Sequence, residues 1–508
     1  MTSNEKLNQA LRKIHKLVES KGKVHILQTR EMSRSDREIL LKNRWLQEII
    51  RGWYLLVRPD IRSGESSAWY ASFWDFVKVY LEFHYNDKYC LSAEQSLDFH
   101  IGKTTIPKQV IIMVEKGNGI PVKLPFDTSI IVCSSKEYRA EERVKINDLF
   151  VMDLPYALCK ASPSFYMLHE QDAELALLSI REPSELIHTI IKNNFVRAAG
   201  RIVGAYSFLG KNEIADTIRN AITDAGIVIQ EQNPFKRETP FLSGINAKSP
   251  YQARIELMWS QYRNKIISLF PNPPGLPTDS KAYLKNVEEI HTQDAYHSLS
   301  IEGYKVSIKL IQKVESGDWN PDLFHEDSLY RNALAARGYY ESFLEVEKSI
   351  AQVIKGNLPG TIAKTDLPVW FRKLFSPLVE AKIHKQEDLW GYRRHQVYIR
   401  NSRHTPLSKD QLLDAMDTFY SCLINEEHAA VRAILGHFVF VYIHPYMDGN
   451  GRTGRFLMNV MLASGGYPWT VIKVENRKQY FQALESASVD NDIEPFAKFI
   501  ASELKSPS

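Results

Sequence analysis

The sequence predicts a mainly α protein, in which an α/β N-terminal region precedes a helical C-terminal part interrupted by one short β-hairpin. Three observations carry this expectation. Phe270-Pro271-Asn272-Pro273-Pro274-Gly275-Leu276-Pro277 sets four prolines in seven residues, a run that neither continues a helix nor joins a strand ladder. Beyond it, apolar residues recur at steps of three and four through nearly the whole chain. Before it, helical patterns alternate with short strand-like runs.

The 508 residues predict about three domains at roughly 100–200 residues each. Apolar residues at 44% and charged residues at 24% exclude disordered, collagen-like and coiled-coil classes. Sixty-four Lys and Arg against 60 Asp and Glu leave +4, too little to mark the whole chain as a nucleic-acid or membrane binder. Residues 1–60 hold thirteen basic and seven acidic residues, so the surplus is concentrated there. Four scattered cysteines form no CxxC pair, which argues against structural zinc and disulfides and for a reducing compartment. The first residues hold no apolar signal segment, and Ile434 to Ile443 falls well short of the ~20 residues of a membrane span. The expectation is a cytoplasmic protein with no membrane partner.

Glu5 to Val18 reads as an amphipathic helix through Leu7, Leu11, Ile14 and Leu17. A second helix is expected from Ser35, as N-cap, to Asn43. Leu46–Ile50 and Trp53–Val57 flank Arg51-Gly52 in the pattern of a hairpin. Helices, then a hairpin, with a basic surplus, is the order of a winged helix over residues 1–60. Residues 29–59 resemble the winged-helix head of AbiEi-type antitoxins. Residues 92–114 and 143–159 look like that family's body, which implies a mixed α/β regulatory region over 61–265. Arg34, Arg37, Lys42 and Arg44 would supply phosphate contacts if this head binds DNA. Residues 266–280 are expected to be a Pro-rich linker.

Further along, Lys281–Ile301 reads as a helix stopped by Gly303. Further helices are expected over Asp327–Ile354, Val369–Ala381, Lys409–Leu423, Glu427–Ile443, Thr453–Ser464, Lys478–Ser486 and Ile493–Leu504. Gln396-Val397-Tyr398-Ile399-Arg400 alternates like a strand, with Asn401-Ser402 as a turn.

The segment His444-Pro445-Tyr446-Met447-Asp448-Gly449-Asn450-Gly451-Arg452-Thr453-Gly454-Arg455 carries the chemistry. Pro445 disfavours α conformation at His444, which fixes an imidazole at a helix tip. Its ordinary pKa of ~6.5 suits a base at neutral pH. Gly449-Asn450-Gly451 opens the next helix, where amides and dipole attract an anion. Arg452 and Arg455 lie three apart on the first turn and can reach one anion. Asp448 is a lone carboxylate among phosphate-binding groups, a setting that suits Mg²⁺. Nine specified positions in twelve have a chance expectation on the order of 10⁻⁹. The set describes transfer of a phosphorus-centred group from a nucleotide.

This segment matches the Fic (filamentation induced by cAMP) signature HP[FY]x[DE]GNGRxxR at every defined position. The resemblance covers roughly residues 280–500 and implies a helical Fido fold with a short β-hairpin flap, the catalytic domain spanning 305–505. It implies a protein adenylyltransferase that moves AMP from ATP to a Ser, Thr or Tyr hydroxyl. In that reading His444 deprotonates the target, Asp448 holds Mg²⁺, and Gly449, Asn450, Gly451, Arg452 and Arg455 bind the phosphates. Val397, Tyr398 and Ile399 resemble the flap that docks the target chain, and Asn459 and Tyr480 are candidates for the adenosine pocket. Gly451 stands where the related Doc kinases have Lys, which favours AMP transfer over phosphorylation.

Ser298 and Glu302 fit the family's inhibitory pattern [ST]xxxE[GN] within residues 281–304. One helical turn apart, they share a face. The resemblance implies that Glu302 pairs with Arg455 and takes the space of the γ-phosphate. The expected partners are a target protein with an acceptor hydroxyl, the chain itself, and DNA through residues 1–60, with a homo-oligomer left open. The alternative expectation is a DNA-binding regulator or toxin–antitoxin-like fusion whose Fic domain transfers another phosphate-linked group or removes AMP.

Overall fold

A computed structural model of the chain describes residues 2–21, 24–59, 66–136, 140–237, 239–240, 249–318 and 327–505. The chain divides into two compact units, Met1–Gly244 with Tyr398–Thr405, and Ile245–Val397 with Pro406–Ser508. Among the described residues helices dominate, and the small sheets lie in the first unit. No described helix is long and apolar enough to cross a membrane.

In the first unit, Thr2 caps the helix Ser3–Ser20 by accepting from the Glu5 N–H, and the Glu5 carboxylate accepts from the Thr2 N–H. The helix Arg34–Lys42 comes next, capped by Ser33 rather than the expected Ser35. The cap hydroxyl must accept from the amide three residues on. Ser33 does so from Asp36 at 3.1 Å, whereas Ser35 already lies within the turn. Strands β1 (Ile26–Gln28), β2 (Leu46–Ile50) and β3 (Trp53–Leu56) form an antiparallel sheet in the order β1-β3-β2. Ala10, Ile14, Leu27, Leu40 and Tyr54 close a small core beneath it.

Strands β4 (Tyr89–Leu91), β5 (Gln109–Val114), β6 (Val122–Lys123) and β7 (Ser129–Ser134) form a second sheet in the order β4-β5-β7-β6, with β5 and β7 parallel. Strands β8 (Arg143–Ile146) and β9 (Leu149–Met152) make a hairpin. The helix Ser67–Tyr85 buries Trp69, Phe73, Phe76 and Val77 in one core with Ile26, Trp53 and Leu55 of the first sheet and Val110, Ile112 and Ile130 of the second. Ile26, Ile49, Trp53 and Leu55 therefore share one core with residues 69–151.

Residues 398–405 cluster in this same unit. The Ile106 N–H donates to the Arg403 carbonyl at 2.8 Å, and the Ser66 N–H donates to Asn401 Oδ1 at 3.3 Å. Gln396–Arg400 is not the expected strand. Alternation suits a strand, but a strand needs a ladder partner, and among the described residues this segment has none. Ser402 N–H instead donates to the Ile399 carbonyl at 3.2 Å, with Asn401 at φ +57°.

The second unit is helical. Pro250–Leu269, assigned from sequence to the preceding region, buries Ile255, Met258, Trp259, Tyr262 and Ile266 in its core. Trp259 Nε1 and Arg263 Nε both donate to Glu426, at 3.2 and 2.9 Å. The boundary thus lies near residue 245, not 265. The Pro-rich run is no free linker either: Phe270 is buried, and the Tyr467 hydroxyl donates to the Pro271 carbonyl at 2.5 Å. Ser280–Ile301 ends at Glu302 as C-cap, with Gly303 next at φ +91°. Asp327–Val353 packs along Pro359–Glu380, which begins well before the expected Val369, and both reach Asn450–Ala463. Ala429–Ile443 is buried at every residue except Val441. That surround holds its end, and hence His444, in one place.

A fragment beginning at residue 245 is expected to melt cooperatively. One beginning at 270 loses five buried apolar side chains from the core, and at about 2–5 kcal/mol for each large one it will melt far lower or not fold. Thermal denaturation of the two fragments checks the boundary.

Candidate active site

His444 caps the helix Ala429–Ile443 in the left-handed region, at φ +54° and ψ +60°. Pro445 removes the right-handed alternative. Ring atom Nδ1 lies 3.1 Å from the Val441 carbonyl. A carbonyl only accepts, so Nδ1 carries the proton and Nε2 keeps its lone pair. Arg393, which no sequence motif announced, fixes this corner. Its Nε donates to the His444 carbonyl at 2.8 Å, and its backbone N–H donates to the Pro445 carbonyl at 2.9 Å. The same guanidinium also donates to the carbonyls of His395 and Leu407. Burial pushes the His444 imidazole down to about 4; the Val441 carbonyl acts against this, and Arg393 adds to it. The ring is neutral at pH 7, the form that accepts a proton.

The next turn is an anion cradle. Gly449 is the N-cap of Asn450–Ala463 at φ +81°, and a Cβ there would stand 2.6 Å from the Phe375 ring, so only glycine fits. The first amides of that helix have no acceptor within it. Arg452 is fully buried, with its guanidinium carbon 5.1 Å from the Tyr304 ring centre and 5.0 Å from that of Phe375. None of its side-chain nitrogens makes a hydrogen bond; the nearest carboxylate oxygen, on Asp448, is 3.5 Å away. A buried cation in that state calls for an anion.

Arg455 is satisfied in part, with Nη1 left without a hydrogen-bond partner. Its Nε donates to Ser298 Oγ at 2.8 Å, and Nη2 donates to the Ser298 carbonyl at 3.1 Å and to Glu302 Oε1 at 2.8 Å. Burial works against the charge of Arg455, but the Glu302 carboxylate, Tyr480 and Tyr339 together raise its pKa. Glu302 Oε1 would be only 2.3 Å from a Cβ on Gly451. The carboxylate therefore lies over the start of the helix, where an anion would bind.

His444, Asp448, Gly449, Gly451, Arg452, Arg455, Ser298 and Glu302 are brought together. Asn450 lies among them but faces inward: Oδ1 accepts from the Tyr446 N–H at 3.0 Å and Nδ2 donates to its carbonyl at 2.8 Å. It braces the loop instead of presenting its amide to an anion. Asn459, expected at an adenosine pocket, is bound to the backbone of Arg455 and Thr470. Tyr480 is buried with its hydroxyl 2.7 Å from His437 Nε2. Both side chains are engaged in internal packing. Val397 belongs to the second unit, while Tyr398 and Ile399 cluster with the first.

Asp448 could give a magnesium ion one carboxylate ligand. Its side chain is 61% exposed, and Oδ1 accepts from the Gly449 N–H at 2.6 Å, which aims the group. No group of three or more His, Cys, Asp or Glu able to hold a metal occurs among the described residues. One carboxylate with phosphates and waters is a usual magnesium shell.

The His444 ring carbons, followed by NMR against pH, are expected to titrate with a midpoint below the ordinary ~6.5 and toward about 4. The charged form is the one penalised by burial, so the midpoint moves down.

Residues 373–462 match the family model described as the Fic/DOC family. The chain is 29% identical over 238 residues to protein adenylyltransferase Fic of Nematostella vectensis, covering 45% of this chain and 50% of that protein. It is 41% identical over 114 residues to protein adenylyltransferase Fic of Drosophila mojavensis, covering 22% of each. The chain thus spans half or less of the length of these curated relatives. Among solved structures it is similar to Fic-1 (residues 134–508) from C. elegans, with a TM-score of 0.37 and 17% identity, covering 66% of this chain and 84% of that one. The chain carries a Fic/DOC domain, and the histidine, the glycine loop and both arginines fall inside it.

Proposed function

We propose that the chain is a protein adenylyltransferase, moving AMP from ATP to a hydroxyl of a target protein or of itself. The observation that carries this is a neutral imidazole with Nε2 available, beside a buried Arg452 that has no hydrogen-bond partner. The name of the curated relatives supports the same reading. Nε2 of His444 takes the proton of the acceptor hydroxyl. The oxygen then bonds to the α-phosphorus, the bond from that phosphorus to the bridging oxygen breaks, and pyrophosphate leaves. Arg452 and the first amides of Asn450–Ala463 stabilise the phosphate charge, which develops where these donors already point. Asp448 would hold Mg²⁺, which neutralises phosphate charge when bound. Gly451 supports AMP transfer over phosphorylation, since it keeps the loop free of a lysine.

Glu302 is a built-in competitor. Its carboxylate on Arg455 and over Gly451 lies where a nucleotide's terminal phosphate would meet the same groups. A triphosphate must displace it or bind beside it against charge repulsion. Glu302→Gly is expected to raise self-modification about tenfold or more, equivalent to ~1.4 kcal/mol of competition for the cradle. His444→Ala in that background is expected to abolish transfer while nucleotide still binds. Intact-mass spectrometry after incubation with Mg-ATP reports this directly. An added mass of anything other than AMP would replace the reading with a different phosphate-linked group.

A second reading concerns the head. The order helix, strand, helix, hairpin over Ser3–Leu56 and the basic surplus support a winged helix that contacts nucleic acid. Full-length protein should then shift duplex DNA with a steep loss on raising salt, and Arg37→Glu should weaken the shift.

A further inference from the structure

The helix Ser280–Ile301 brings a third side chain to the face that carries Ser298 and Glu302. Asp294 lies one turn before Ser298 and two before Glu302, so all three point the same way. Asp294 is 3% exposed, and it touches neither the glycine loop nor His444 through any hydrogen bond. Its Oδ2 accepts from the hydroxyl of Tyr339 at 2.6 Å. Tyr339 is itself fully buried on Asp327–Val353, and its ring lies 4.7 Å from that of Phe456, the residue after Arg455. One buried hydrogen bond thus ties the helix that presents Glu302 to a second helix, at the point where both meet a third. Burial raises the Asp294 carboxyl to about 6, while Tyr339, Trp469 and Arg455 hold it back.

This tether is well placed to govern Glu302. That residue is the C-cap of its helix, and its hold on the cradle depends on the helix staying in register against Arg455. Arg477 ties the last turn through the Ile301 carbonyl at 2.7 Å, and Ser298 is bound to Arg455 itself. The Asp294–Tyr339 hydrogen bond attaches this face to Asp327–Val353 and not to the anion-binding arginine. A nucleotide that claims Arg455 weakens the Ser298 and Glu302 contacts, but leaves the Tyr339 bond in place.

We propose that Asp294 and Tyr339 are positioning residues that latch the Ser280–Ile301 helix, and that this latch sets how readily Glu302 vacates the cradle. The inference rests on the reading of Glu302 as the nucleotide's competitor. Tyr339→Phe removes the donor and leaves the ring packing; Asp294→Ala removes the acceptor.

The test uses full-length protein and two readouts: affinity for Mg-ADP, and self-labelling with Mg-ATP. Tyr339→Phe and Asp294→Ala are each expected to tighten ADP binding and raise labelling on the order of tenfold, as loss of one hydrogen bond to a charged group allows. Glu302→Gly should do so at least as strongly. Tyr339→Phe combined with Glu302→Gly should equal Glu302→Gly alone, because the latch acts only through that carboxylate. General destabilisation would not tighten nucleotide binding, and so cannot mimic the result. If both single variants stay at the wild-type level while Glu302→Gly rises, the latch is overturned and the competitor reading stands. An additive change in the double variant overturns it as well. If Glu302→Gly changes neither readout, the competitor reading falls and the latch falls with it.

Discussion

Two guanidinium groups buried at the start of one helix govern the second unit. A cation removed from water must find a negative partner, and breaking such a pair leaves a charge that the interior cannot solvate. Arg455 has found Glu302. Arg452 has only ring faces and a carboxylate oxygen at 3.5 Å. The cradle is therefore half filled from within, and the remaining deficit is what a polyanion would meet.

This demand explains features that otherwise look unrelated. Gly449 and Gly451 are both places where a side chain would strike something: an aromatic ring at the first, a carboxylate at the second. Phe371 stacks on Tyr446 at 3.7 Å with planes 5° apart, and Asn450 grips the backbone of the same tyrosine at both ends. Arg393 clamps the carbonyls of His444 and Pro445. None of these groups needs to touch a ligand. They hold the imidazole and the helix start rigid, so that little reorganisation is left for the moment of reaction.

The parts of the site that lie close together in sequence were legible without coordinates. The twelve residues from His444 to Arg455 carry their own turn chemistry, and Gly303 stops a helix where its helical pattern ends. Ser298 and Glu302 were legible through the family's inhibitory pattern, and one turn sets the two side chains on one face. Asn459 and Tyr480 carry internal hydrogen bonds that position relative to the motif does not announce. The strand expected at Gln396–Arg400 failed because alternation predicts a face, not a neighbour. Residues 250–265 were placed in the preceding region because only tertiary contact says against which core they pack. Arg393 and the Asp294–Tyr339 pair had no local signature at all, because each acts across long stretches of chain.

The backbone at His444 is held in a conformation that a side chain resists. At φ +54° a non-glycine residue is strained by an amount on the order of 1 kcal/mol or more. Glycine at this corner would be more comfortable and chemically inert. The fold thus accepts a permanent local weakness so that an imidazole stands at a helix tip, and stability and reactivity are set against each other at one torsion angle.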